Sequence, residues 1–177
     1  MPLRVASALS CACLVVLLIG CGSETDLDVA EGRYRLYVEG HLTDTLSGPA
    51  VVHTQQNGRV GLELGNRDSS GLSIELTPAA RPNHDAKSSP PSVSTGRYEV
   101  VAASLLNGPS ADNLSGLVAF LSMADLQFVA TQGHLSVSET GDGMVGGTLE
   151  FEMAERESDT PGERTVRVTG VLRATAP

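Results

Sequence analysis

The chain has 177 residues, 41% of them hydrophobic, which suffices for one domain with a core and excludes a chain disordered throughout. Its net charge of −9, from 12 Lys+Arg against 21 Asp+Glu, argues against a nucleic-acid binder, which needs a basic face to meet phosphates. Three Phe, three Tyr and no Trp leave few aromatics for stacking on a ligand.

Residues 1–20 read as a lipoprotein signal peptide. Arg4 supplies the positive start, and Val5 to Ile19 form an apolar run. That run is short of the ~20 residues that span a bilayer as a helix, so a removable signal fits better than a permanent span. Leu18-Ile19-Gly20-Cys21 then resembles a bacterial lipobox, with Ile rather than the commoner Ala or Ser before Gly20. The resemblance implies lipid transfer to the Cys21 thiol, cleavage after Gly20 and acylation of the new amino terminus. It makes the membrane, through that anchor, the first expected partner. Two or more acyl chains give stable membrane residence where one does not. Gly22 stands where lipoproteins retained at the inner membrane of enteric bacteria carry Asp, so the expected location is the cell envelope at the outer membrane. Cys11 and Cys13 lie in the removed segment, leaving no disulfide to staple the mature chain.

Residues 21–32 form a short acidic tether with Glu24, Asp26, Asp28 and Glu31, and 33–177 a single domain. Period-two alternation dominates from Arg33 on. Tyr34, Leu36 and Val38 alternate with Arg33, Arg35, Tyr37 and Glu39, as in a half-buried strand, and Gly40 suggests a bend. Pro49 is expected to open a second run to Gln55, with Asn57-Gly58 a hairpin turn. Val60, Leu62 and Leu64, then Leu72, Ile74 and Leu76, make two more strands around a turn at 66–71. The segment 78–95, with four prolines, reads as an exposed loop outside the sheet, mobile at its tip.

Tyr98, Val100 and Ala102 resume strand character, and 105–115 is a connection. Leu114 to Met123 fits helical and strand spacing alike. Gly116 and the lack of caps favour a strand over 117–122, a tight turn at Ala124-Asp125 and a new strand from Leu126. Leu126, Phe128 and Ala130 share one parity, Leu135 and Val137 the other, which demands a bulge, placed at Gly133. Gly141 to Gly143 turns into Val145, Leu149, Phe151 and Met153, and Val166, Val168 and Leu172 end the domain. The expected fold is all-β, an antiparallel sandwich or open barrel of about eight to nine strands. A membrane-spanning barrel is disfavoured, because the outward positions are Arg, Glu, Ser and Thr. The runs 128–137, 147–151 and 166–170 also resemble all-β bacterial envelope lipoproteins, over roughly residues 96–173. That resemblance implies an envelope setting and carries no catalytic residues.

Motifs for chemistry are sparse. Gly141 to Gly146 matches G-x-G-x-x-G but joins two strands, where a dinucleotide site needs a helix N-terminus. His41, His53, His84 and His134 show no metal-ligand spacing among themselves. Glu39 with His41, and Glu150 with Glu152, share strand faces and read as solvated pairs; Asp142 and the tether acids lack the spacing of a calcium loop. No cofactor, metal or catalytic residue is assigned, and Cys21 is the one site residue, for lipid. The expectation is a non-enzymatic, membrane-anchored β-domain that binds an envelope protein or glycan or serves a structural role. The alternative is a carbohydrate-binding module or a hydrolase-like sandwich. A cleft lined by Tyr34, Tyr37 and the 78–95 loop would favour binding.

Overall fold

A computed structural model describes residues 28–55, 59–66, 70–77, 93–102, 116–156 and 164–177. They form nine strands: β1 (Arg33–Gly40), β2 (Asp44–Thr54), β3 (Val60–Asn66), β4 (Ser70–Thr77), β5 (Gly96–Glu99), β6 (Gly116–Met123), β7 (Leu126–Gly141), β8 (Met144–Glu155) and β9 (Thr165–Thr175). Eight of them follow one another round a closed antiparallel wall, in the order β7-β6-β4-β3-β2-β1-β9-β8, with β8 pairing back onto β7. The all-β expectation holds, but the wall is neither a sandwich nor open. The first strand pairs with the last, from Arg33↔Arg173 to Gly40↔Val166, so no edge is left between them.

Alternation explains why the wall closes around an apolar interior. Tyr34, Leu36 and Val38 point in from β1, Leu62 and Leu64 from β3, Leu72, Ile74 and Leu76 from β4, and Phe151 and Met153 from β8, all buried in one cluster. Stepping from partner to partner round the wall returns to β1 about ten residues further on, which requires strongly tilted strands. An eight-stranded barrel has an interior that side chains can fill. Here large apolar groups point into it, including Phe128 and Phe151 with no exposed surface. The outer face carries ion pairs such as Arg59–Glu75 at 2.7 Å and Arg173–Glu139 at 3.0 Å. That polarity is the reverse of a membrane-spanning barrel.

Two rims can be distinguished. β1 begins, β9 ends and β7 turns into β8 at the entry rim. The β1–β2 turn at 41–43 and the β6–β7 turn at 124–125 lie at the far rim. The strand β7 serves two neighbours on one edge. Its start pairs with β6, up to Phe120↔Val129, and its later part with β5, from Glu99↔His134 to Gly96↔Val137. Beyond β5, the Val100 N–H donates to Gly133 O at 2.9 Å and the Val101 N–H to Leu117 O at 2.8 Å. Thus β5 is a wedge between β6 and β7 in the half of the wall nearer the entry rim.

The bulge that the parity change demands exists, but its extra residue is Thr131, not Gly133. The Thr131 hydroxyl donates to the Glu152 carbonyl at 3.1 Å, which helps hold the two strands together at the irregularity. Gly133 adopts φ +121, and a Cβ there would collide with the Glu150 carbonyl oxygen. The bulge turns β7 away from β6 and makes room for the wedge.

Three further expectations change. The strand β2 starts at Asp44 and runs through Pro49. Proline fits because its position is where pairing with β1 ends, at Arg33↔Pro49, and pairing with β3 begins, at Ala50↔Leu64. Strand pairing at 98–102 stops after four residues of β5 and the Val100 bridge. Of the segment 78–95, residues 78–92 lie outside the described residues, as do the 57–58 turn and the 105–115 connection. Val93 is buried in the core, so the inner end of that segment packs against the domain. Its flanks Leu76 and Tyr98 both enter the same cluster, as expected.

The ambiguous stretch is the strand β6, and Met123↔Leu126 closes a two-residue turn with φ +51 at Ala124 and +64 at Asp125. Both values suit a type I′ hairpin, whose preferred residues are Asn-Gly. A non-glycine residue such as Ala there carries about 1–2 kcal/mol of strain. Replacing the pair by Ala124→Asn with Asp125→Gly should therefore raise stability by about 0.5–1 kcal/mol, measured as an increased denaturant midpoint with unchanged slope.

Candidate functional site

Among the described residues, a concavity lies on the outside of the wall, where β3, β4 and β6 run side by side. It measures about 250 Å³ and is lined by Glu63, Gly65, Gly71, Ser73, Phe120 and Ser122, with the backbone of Leu64 and Leu72 as its floor. The register explains it. Gly65 pairs with Gly71, so two adjacent positions on the wall carry no side chain. Ser73 pairs with Phe120 and Gly71 with Ser122, which sets a half-buried ring and two hydroxyls along one side. Glu63 closes the other side, 3.5 Å from the His53 imidazole. Nothing in the sequence marks this place, because Phe120 and the two glycines become neighbours only through strand pairing.

The residues singled out from sequence do not converge on a site. Cys21 lies outside the described residues, with the whole lipobox, and so does His84. His41 is exposed just past β1, where its N–H donates to Thr165 O, and Glu39 lies across from Arg167. His134 is flanked in register by Glu99 and Glu150, while Glu150 itself pairs with Arg167. Glu152, on the same strand face as Glu150, is bonded by the Gln132 amide. Asp142 sits in the β7–β8 turn, and the glycine motif there joins two strands, as expected. Among the described residues no group of three or more His, Cys, Asp or Glu could hold a metal.

Tyr34 and Tyr37 cannot line one cleft, because they point to opposite faces. Tyr37 is 46% exposed on the wall, while Tyr34 lies inside. Gly48, directly opposite on β2, leaves room for the Tyr34 ring, and a Cβ there would stand 3.2 Å from it. A second tyrosine, Tyr98, fixes the chain before the wedge: its hydroxyl donates to Ser94 O at 3.0 Å and accepts from the Ser94 N–H at 3.1 Å.

Comparison with family models, with curated proteins and with solved structures gave no match.

Burial pushes the Tyr34 phenol above its usual range, an effect the Arg33 charge only partly offsets. A tyrosine whose folded pKa is raised stabilises fully below its unfolded pKa of about 10, and that contribution is lost as pH climbs through the folded value. Tyr34→Phe should accordingly flatten the fall in stability above pH ~10. Denaturant melts at neutral and alkaline pH test this, and an unchanged alkaline slope would show that folding does not raise the Tyr34 pKa.

Proposed function

We propose that the mature protein is a lipid-anchored component of a bacterial cell envelope, probed from outside rather than from within its barrel, and without catalytic activity of its own. The observation that carries this reading is the lipobox Leu18-Ile19-Gly20-Cys21 behind an apolar run, with an acidic tether leading to one closed barrel. The large apolar side chains that point inward, Phe128, Phe151 and Met153 among them, support the second half of the reading, since a cup-like site needs that space for its ligand. The side chains near Glu150 and Glu152 are taken up in ion pairs and hydrogen bonds on an open wall, where carboxylates lack the enclosed setting that acid–base work requires.

Anchoring is tested by Cys21→Ser. The variant should leave the membrane fraction and appear in the soluble one, while the native protein should lack residues 1–20. Membrane retention of Cys21→Ser after high-salt washing would overturn the reading.

A second reading, glycan binding, is favoured by one observation: the outer concavity pairs the Phe120 ring with Ser73, Ser122 and Glu63. A sugar presents an apolar face for a ring and hydroxyls for polar rims, and the volume suits a single residue of a chain. On this reading, titration with chito- and cello-oligosaccharides should show binding that Phe120→Ala abolishes with the fold intact by circular dichroism. Equal binding by Phe120→Ala would remove the concavity as a glycan site.

A further inference from the structure

The tether does not end where the barrel begins; its last residues are built into the wall. At the entry rim β2 and β9 meet directly, Val51 beside Thr175, and Gly32 spans the remaining gap. Its N–H donates to Arg173 O at 2.7 Å and its carbonyl accepts from the Ala50 N–H at 2.8 Å. Gly32 holds φ +68 with Thr175 Oγ1 close to where a Cβ would be. The Arg173 guanidinium then reaches Glu31 at 3.5 Å and Glu139 at 3.0 Å, and Arg35 meets Asp28 at 3.2 Å. Exposed ion pairs of this kind add little, but two backbone bonds into neighbouring strands fix where the chain leaves the domain.

Resting on the lipid-anchor reading, we infer that the entry rim faces the bilayer and that the far rim is the surface offered to the rest of the envelope. Only seven residue steps separate Cys21 from Asp28, and however they are disposed they reach no more than about 25 Å. Wall strands mostly of seven to twelve residues, at the tilt that the stagger requires, make a barrel on the order of 25 Å from rim to rim. The far rim can approach the lipid only with the leash drawn out along the whole wall, whereas the entry rim meets it in most arrangements. The far rim, with the 41–43 and 124–125 turns, is thus held away from the lipid. The membrane surface lies under the 142–143 turn.

The test uses full-length lipidated protein in vesicles. Once processed, the chain keeps no free thiol, so Thr43→Cys at the far rim and Asp142→Cys at the entry rim each give one labelling position; both residues are exposed. Flotation with the vesicles comes first, and protein that fails to float overturns the anchor reading itself. For floating protein, a headgroup-linked quencher should dim a dye at position 142 roughly twofold or more over one at 43, given rims some 25 Å apart. Equal quenching, or the reverse order, overturns the orientation. A twenty-residue Gly/Ser insertion after Asp26 should erase the difference, and a difference that survives it would exclude the leash as its cause.

Discussion

Everything in this domain rests on the pairing of its first strand with its last. Eight register pairs, from Arg33↔Arg173 to Gly40↔Val166, close the wall. Without them β1 and β9 would be two long edges, each with a row of unpaired amides and carbonyls. The mature chain expected from its lipobox has no disulfide, so this closure and the burial behind it must hold the domain. The same pairing positions Gly32 at the rim, and through it the direction in which the chain leaves. The fold and the point where the chain leaves it therefore depend on one set of backbone bonds between sequence-distant strands. Such pairing carries a loop-closure cost that grows with separation, so folding of this barrel is expected to be slow relative to its size.

The second constraint is the geometry of β7. A wall of constant width would let β6 and β7 pair along their full lengths. The extra residue Thr131 and the positive φ of Gly133 bend β7 out of that course. The gap so made takes β5, whose Tyr98 faces the core while Arg97 and Glu99 pair on the outside. A Cβ at Gly116 would run into the Val101 side chain, so β6 at that point admits the wedge only because it lacks one. Bulge, glycine and wedge form one unit in which each makes sense of the others.

Period-two alternation makes most of this legible in the sequence. Inward residues such as Leu36, Ile74 and Phe151 are unambiguous, and the parity change in β7 is enough to require a bulge. Its location is not legible in the same way, because glycine is the usual marker, while the residue left unpaired is a threonine. Pro49 reads as a strand start because proline lacks an amide; whether that amide is needed depends on a change of partner strand invisible in a linear chain. Closure is invisible for the same reason. Alternation says which face is buried, and says nothing about which strands meet. The concavity beside Phe120 shares this origin, as Gly65, Gly71 and Phe120 are brought together by register across three strands.

The two faces of the wall answer to different costs, and this decides where recognition can reside. An inward Leu or Phe cut to Ala loses about 2–5 kcal/mol, a large part of what a domain this size has. Outward positions sit in salt-screened pairs worth about 0–1 kcal/mol each, so they can change with little effect on the fold. Glu150, Arg167, Glu99 and Arg97 hold the wall lightly, while Leu36, Leu62 and Phe151 fix it. A filled barrel therefore separates stability from surface chemistry more cleanly than a hollow one, in which the ligand cavity and the core compete for the same inward positions. On that ground substitutions on the outward face can change its contacts without unmaking the interior.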